Sequence, residues 1–323
     1  MNSSCLIRVV IAAAFSAFAA TTGAQFPDHP VTMIVPFPPG GVADTVGRPV
    51  ADAMGRALGQ PVVIENKGGA GGGIGMAQVA KAKPDGYTIL MALASYSVLP
   101  EADKVLGRAP MYQFADLKPI ARFTADPTVL VVRAEAPWNT YAEFVAAARA
   151  NPGKLTFGSS GNYGTMHVPM EMLALGNGIK LTHVPYTGAG PAIIGLLGGQ
   201  VDALATGPAS IVQQIKAGKV RALAHWGDGR LASLPDVPSL KELGANIEYA
   251  QWAGLFVPAG TPEPVVARLR EAAKAAANDD KVKQVLLTAG SPILYLDAPE
   301  FQRYVDADVR KMSDVVQKIG KVE

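Results

Sequence analysis

The stretch Gly158-Ser159-Ser160-Gly161 sets two hydroxyls in a bare loop ahead of a helical pattern, and the chain also carries His167, His183 and His225. A serine beside an imidazole is the raw material of acyl transfer, in which the ring takes the hydroxyl proton and a carboxylate orients the ring. The stretch departs from the G-x-S-x-G elbow, because Asn162 stands where the second glycine belongs. None of the three histidines has a carboxylate partner evident in the sequence, so a serine hydrolase is a subordinate reading. Metal ligation has less support, since H-x-x-x-H and H-x-x-E-H are absent and Cys5 is the one cysteine. The glycine tract 68–75 holds no dinucleotide fingerprint: the frame from Gly69 ends at Ile74 and the frame from Gly71 at Met76. It reads as a tight loop where backbone approaches backbone.

A different chemistry fits residues 31–48, VTMIVPFPPGGVADTVGR. Strand formers stop in Pro38-Pro39-Gly40-Gly41 and a helical pattern begins at once. The first amides of a helix have no internal partner and sit at the positive end of its dipole, so such a loop suits an anion. Ser95-Tyr96-Ser97, Ser159 to Thr165 and Thr206-Gly207-Pro208 are further small, neutral, hydrogen-bonding loops at strand ends. Each alone is ordinary turn chemistry. Together they point to a shared cleft that captures a small anion reversibly, with two lobes closing over it.

The elements that must position these loops alternate along the chain. Val42, Val46, Val50, Met54 and Leu58 form one helical stripe, with Asp44 four residues before Arg48. PVVIENK (61–67), a short helix through Ala77 to Lys83, and TILMAL (88–93) follow, which predicts a doubly wound parallel sheet. TVLVVRA (128–134) leads through Thr140 and Glu143, a capping box, into a helix, and KLTFGSSG, THVPY, VDALAT and VRALAHW alternate with helical segments in a second unit. AQWAGLFVPAG, a helix opened by Thr261-Pro262, and a long amphipathic helix capped by Asp297 complete the chain. Two similar α/β units predict a two-lobed α/β fold, each lobe a sheet flanked by helices, with ligands bound beyond the carboxyl ends of the strands.

Composition narrows the setting. The 323 residues carry 29 Lys and Arg against 27 Asp and Glu, scattered singly, so a nucleic-acid surface has no electrostatic basis. Arg8 precedes the apolar run VVIAAAFSAFAA, too short to span a bilayer, and small residues end it at Ala17-Phe18-Ala19 and Thr22-Gly23-Ala24. This is a secretory signal peptide over 1–24, cleaved at Ala19 or Ala24, and it predicts a periplasmic protein. Export without a mature cysteine suits a large domain that relies on its core.

In order along the chain, VTMIVPFPPGGVADTVGR, LGQPVVIENKGGAGGGIG, KPDGYTILM, PGKLTFGSSGN, THVPYTGAGPAIIGLLGGQVDAL, GKVRALA, LPDVPSLKELG and FVPAGTP resemble the extracytoplasmic solute receptors of the tripartite tricarboxylate transporters, the Bug family. The resemblance covers nearly all of the mature chain. It implies a type II periplasmic binding-protein fold that delivers a carboxylate to a permease of large and small membrane subunits. A monomer without a cofactor and without chemistry on its ligand is expected. Topology and resemblance together place one lobe at 26–125 plus 240–323, the other at 126–239, and the hinge near 125 and 240.

The resemblance also implies a pocket in which one ligand carboxylate is gripped between two loops by backbone amides and ordered waters. Carried over by motif, the first lobe supplies Phe37, Gly40, Gly41, Ala43, Asp44, Ser95 and Tyr96. The second supplies Ser159, Ser160, Asn162, Tyr163, Gly164, Thr165, His167, Thr206 and Pro208. Asp44 is expected to orient its helix rather than touch an anion, since two negative charges repel; a ligand amine would reverse this. Tyr163, Tyr96 and Trp226 depart from smaller residues in relatives, and such rings stack on an aromatic acid, close the pocket around a short aliphatic one, or pack at the lobe interface. Gly195 stands where many relatives carry Asp. Without a basic pair in these loops, a mono- or dicarboxylate, aromatic acids included, is expected over a tricarboxylate. A sensor receptor feeding a two-component kinase is the alternative with the same cleft.

Overall fold

Val31, Met33, Ile34 and Val35 are apolar on both sides of the pleat, and such a strand is stable only where both faces are covered. The computed structural model describes residues 26–322, so the expected signal peptide lies outside the described residues. In it β1 (Val31–Val35) runs between β2 (Val62–Asn66) and β3 (Thr88–Leu93), parallel to both. The connection to β2 is α1 (Val42–Leu58), which buries the stripe Val42, Val46, Val50, Met54 and Leu58 against the sheet. Cutting Met54 back to alanine in so closed a site is worth on the order of 2–5 kcal/mol. The helix before β3 is α2 (Gly73–Ala80), which begins inside the glycine tract, and α3 (Leu99–Val105) follows β3.

The sheet continues antiparallel: β10 (Ala250–Pro258) lies beside β3, β4 (Leu117–Pro127) beside β10, and β11 (Leu296–Asp297) at the edge. The parallel arrangement expected from the strand–helix alternation is confined to β1, β2 and β3, and the sheet as a whole is mixed. β4 gives no sequence signal because Lys118, Pro119 and Arg122 interrupt its apolar run. It tolerates Pro119 because β11 covers its outer side only at Ala121 and Arg122, leaving no ladder partner there to lose.

The second sheet has the order β7 (Thr182–Pro185), β6 (Thr156–Ser159), β8 (Ala203–Thr206), β5 (Val129–Arg133), β9 (Val220–His225). β6 is parallel to its two neighbours, whereas β5 is antiparallel to β8 and β9. Helices α4 (Tyr141–Ala150), α5 (His167–Asn177), α6 (Ala189–Leu197) and α7 (Pro208–Lys216) join these strands. Back on the first sheet are α8 (Glu263–Asn278), α9 (Asp280–Thr288) and the long α10 (Ala298–Ile319). Two mixed sheets flanked by helices give the two-lobed α/β fold that the sequence predicts.

The chain leaves the first sheet at Thr128 and returns between His225 and Ala250. These crossings are tied together: the Trp226 amide donates to the Thr128 carbonyl at 2.9 Å, and the Tyr249 amide to the Trp226 carbonyl at 3.1 Å. Hinges between domains are generally built from a few such connecting residues.

Candidate functional site

The start of α1 is built to keep its amides free. Gly41 is its N-cap, with extended backbone and no side-chain hydrogen bond to the first turn. Asp44, in that turn, accepts from the Gly40 amide at 3.1 Å, from Arg48 Nε at 3.0 Å and Nη2 at 2.7 Å, and from Asn66 Nδ2 at 3.1 Å. Burial pushes the Asp44 carboxyl up, but the bonds from Arg48, Gly40 and Asn66 outweigh it and hold the group below its ordinary range. Its charge is thus neutralised within its own lobe and the Gly40 amide is engaged. The amides of Val42 and Ala43 keep the positive end of the helix.

The second lobe meets this point with two more helix starts. Gly188 caps α6 and Gly207 caps α7, again with no side-chain hydrogen bond to the first turn. A methyl placed on Gly41 would lie 3.4 Å from Cβ of Ala189, and one on Gly188 only 2.5 Å from Cδ of Pro38. One on Gly207 would lie 2.9 Å from Cγ2 of Val42 and 2.8 Å from Oε1 of Gln251. Beside them, a methyl on Gly161 would come within 2.9 Å of the Gly71 amide nitrogen, so the glycine tract allows the two backbones to approach. Loops 37–44, 159–167, 188–190 and 206–208 contain neither Lys nor Arg. Positive potential at this junction therefore comes from backbone dipoles.

The loop after β6 is pinned by its own side chains. The Gly161 amide donates to Ser159 Oγ at 3.0 Å, and the Tyr163 amide to His167 Nδ1 at 3.1 Å. Tyr163 holds a left-handed φ of 55°, unusual for a bulky residue. Ser159 Oγ also lies 2.5 Å from His183 Nε2, a pairing that sequence could not show. Burial, and then the neighbouring His167 ring 4.2 Å away, lower the His183 pKa to about 3. A ring so reluctant to take a proton is a poor general base at neutral pH. Glu171 lies 3.4 Å from Nε2 of His167, the other ring of this cluster.

Of the residues singled out by sequence, Gly41, Ala43, Ser160, Asn162, Gly164 and Thr165 lie in the loops that meet across the lobes. Ser160 Oγ and Ser95 Oγ are buried without a hydrogen-bond partner. Phe37 packs its ring against Gly72 while its carbonyl accepts from Asn66. Thr206 Oγ1 is 2.9 Å from Ser210 Oγ, across the start of α7 where Pro208 occupies the first turn. The rings are placed in packing: Tyr96 lies among Tyr112, Phe114, Trp252 and Phe256, with its hydroxyl on the Phe114 carbonyl. Tyr163 stands edge-on to His167 and donates to the Gly320 carbonyl beyond α10. Trp226 is buried at the crossing.

Sequence reasoning passed over Gln251. It is 2% exposed on β10, its Nε2 donates to Thr165 Oγ1 of the other lobe at 2.9 Å, and its Oε1 has no partner. The available signal was a lone amide in the otherwise apolar run AQWAGLFVPAG.

Residues 46–321 match the model of the tripartite tricarboxylate transporter family receptor. A protein of Cupriavidus necator, the UPF0065 protein in the gbd 5′ region, is 35% identical over 296 residues, covering 92% of this chain and 89% of its own. The fold is similar to that of the periplasmic binding protein BugD, with a TM-score of 0.87, 35% identity and coverage of 91% of this chain and 98% of that one. It is also similar to MatC from Rhodopseudomonas palustris with bound malate, with a TM-score of 0.84, 32% identity and coverage of 90% and 100%.

Proposed function

This chain belongs to the tripartite tricarboxylate transporter receptor family, and from that membership we propose that it captures a small mono- or dicarboxylate between its lobes for delivery to a membrane permease. The observation that carries this reading is the meeting of three helix starts, at Gly41, Gly188 and Gly207, none closed by a side chain. Bringing positive helix ends together is unfavourable unless an anion shares them. A carboxylate supplies the charge and enough acceptor lone pairs for amides from both lobes. Ser95, Ser160 and Thr165 would orient the rest of the ligand, and Asp44 would hold the loop. The malate bound by MatC supports an acid of this size. The receptor would act in the periplasm after removal of residues 1–24, with the hinge at the paired crossings.

The test is a thermal-shift and calorimetric comparison of malate, benzoate, glutamate and citrate, each against its uncharged amide. Binding to the folded state alone stabilises it by about 2.7 kcal/mol at a hundredfold excess over Kd. At least one carboxylate should raise the melting temperature by several degrees while its amide does not. Equal shifts from acid and amide, or none from any acid, would overturn the reading.

A further inference from the structure

We propose that Gln251 is a specificity-determining residue of the cleft, its carboxamide turning half a revolution to donate Nε2 to the ligand carboxylate while Oε1 accepts from the Thr165 hydroxyl. The inference rests on the carboxylate reading above. Its starting point is a buried polar atom without a partner: Gln251 Oε1 makes no hydrogen bond, although a buried amide oxygen left unpaired is costly. The location decides what the atom needs. A methyl on Gly207 would sit 2.8 Å from this oxygen and 2.9 Å from Val42, so the carboxamide lies where the starts of α1 and α7 converge.

A carbonyl oxygen facing an anion is repelled, whereas an amide N–H attracts it. Thr165 resolves the conflict because its hydroxyl both donates and accepts. In one orientation Gln251 Nε2 donates to Thr165 Oγ1, at 2.9 Å. With the amide turned over, the hydroxyl donates to Oε1 and the lobe-to-lobe bond is kept, while both Nε2 hydrogens become available, one of them for the ligand. Gln251 stands on β10 of the first lobe and Thr165 in the loop of the second, so the same side chain joins the lobes and reads the anion. Its partner across the β4–β10 ladder is Asp126, one residue from Pro127 at the crossing, which places the reader beside the hinge. Aimed at a neutral hydroxyl or amide, either orientation serves equally well; aimed at a carboxylate, only one does.

The experiment compares wild type with Gln251→Glu and Gln251→Met by calorimetry, using the carboxylate that gives the largest thermal shift. Gln251→Glu keeps the shape and the acceptor for Thr165 but loses the donor and adds a like charge. Its affinity should fall at least about a hundredfold at pH 8 and recover as pH drops and the introduced carboxyl is protonated. Gln251→Met should lose about tenfold at every pH. Other titratable groups nearby, Asp126 on β4, Asp44 with Arg48 on α1, and His167 and His183 in the second lobe, are common to all three proteins, so the wild-type profile subtracts them. Melting temperatures within a few degrees of wild type confirm folding, and a variant that misses this is replaced by Gln251→Asn, which keeps the donor on a shorter arm and should fall between wild type and Gln251→Met. If Gln251→Glu binds within threefold of wild type at pH 8, or shows no recovery at low pH, the proposal fails while the carboxylate reading stands. If wild type binds no carboxylate, both fail together.

Discussion

Two sets of helix starts in this molecule stand in contrast. At α4, α9 and α10 a side chain closes the first turn: Thr140 accepts from the Glu143 amide at 3.2 Å, Asp279 from Val282 at 3.0 Å and Asp297 from Ala298 at 2.8 Å. At α1, α6 and α7, where the lobes meet, the cap is glycine and no side chain reaches the first turn. A capped start has satisfied its amides locally and contributes stability. An uncapped start in a buried junction carries unsatisfied donors, which is unfavourable for the free protein and useful only when something from outside accepts from them. The junction therefore forgoes stability that the starts of α4, α9 and α10 secure.

The largest test of this contrast is Gly41→Val. Its extended backbone accepts any residue, but the new side chain must enter a contact already at 3.4 Å from Ala189. Closure should be blocked and carboxylate affinity should drop by about a hundredfold or more, roughly the loss of two charge-assisted hydrogen bonds, with the unliganded melting temperature changed by only a few degrees. Calorimetry with a melt of the same sample checks both halves, and unchanged affinity would remove Gly41 from the junction.

A contrast between two buried carboxyls gives the next largest effect. Asp44 is held below its ordinary range by donors, whereas Asp126, next to Pro127 at the crossing, is pushed up to about 7 by burial, although Ser291 and Arg122 pull the other way. A raised folded-state pKa means that the folded protein holds this proton more tightly than the unfolded chain, whose carboxyl titrates near about 3.9. The stabilisation is complete below the unfolded value and is lost as pH rises through about 7. Asp126→Asn should flatten stability across this window and exceed wild type at pH 8 by on the order of 2 kcal/mol. Urea melts from pH 4 to 8 would show it; parallel wild-type and variant profiles would mean that Asp126 is not the group responsible.

The smallest effect concerns the capped group. Thr140→Ala removes one bond to the Glu143 amide and should lower stability by about 1 kcal/mol, leaving ligand affinity unchanged because α4 takes no part in the junction. A change in affinity comparable to that of Gly41→Val would erase the distinction between the two kinds of helix start.

Much of the fold was legible because its signals are local. The apolar stripe of α1, the strand TILMAL and the Thr140 cap each depend on residues within a turn or two of one another, and each is found where its pattern lies. β4 was not legible, since a proline and two charges hide a strand that neighbouring β10 holds in place. The mixed character of both sheets escaped for a related reason: alternation reveals that strands and helices follow one another, and not which strand a later one will pair with. At the junction, Pro38 to Gly41, Ser160 and Thr165 could be noticed as small or neutral residues at strand ends. Gln251 could not be placed, because nothing near it in the chain announces that Thr165, 86 residues away, will lie within hydrogen-bond distance.

By itself the sequence determined the two-lobed α/β class, the bare loops ahead of helices and the family, all of which are written in short runs of residue type. Only the tertiary structure decided that three glycine-capped helix starts converge, that Tyr96 and Tyr163 turn into packing, and that Gln251 bridges the lobes. The reason is physical: propensity and capping act over one turn of chain, whereas convergence depends on the register of two sheets and the path of two crossings summed over some two hundred residues between Gly41 and Gln251.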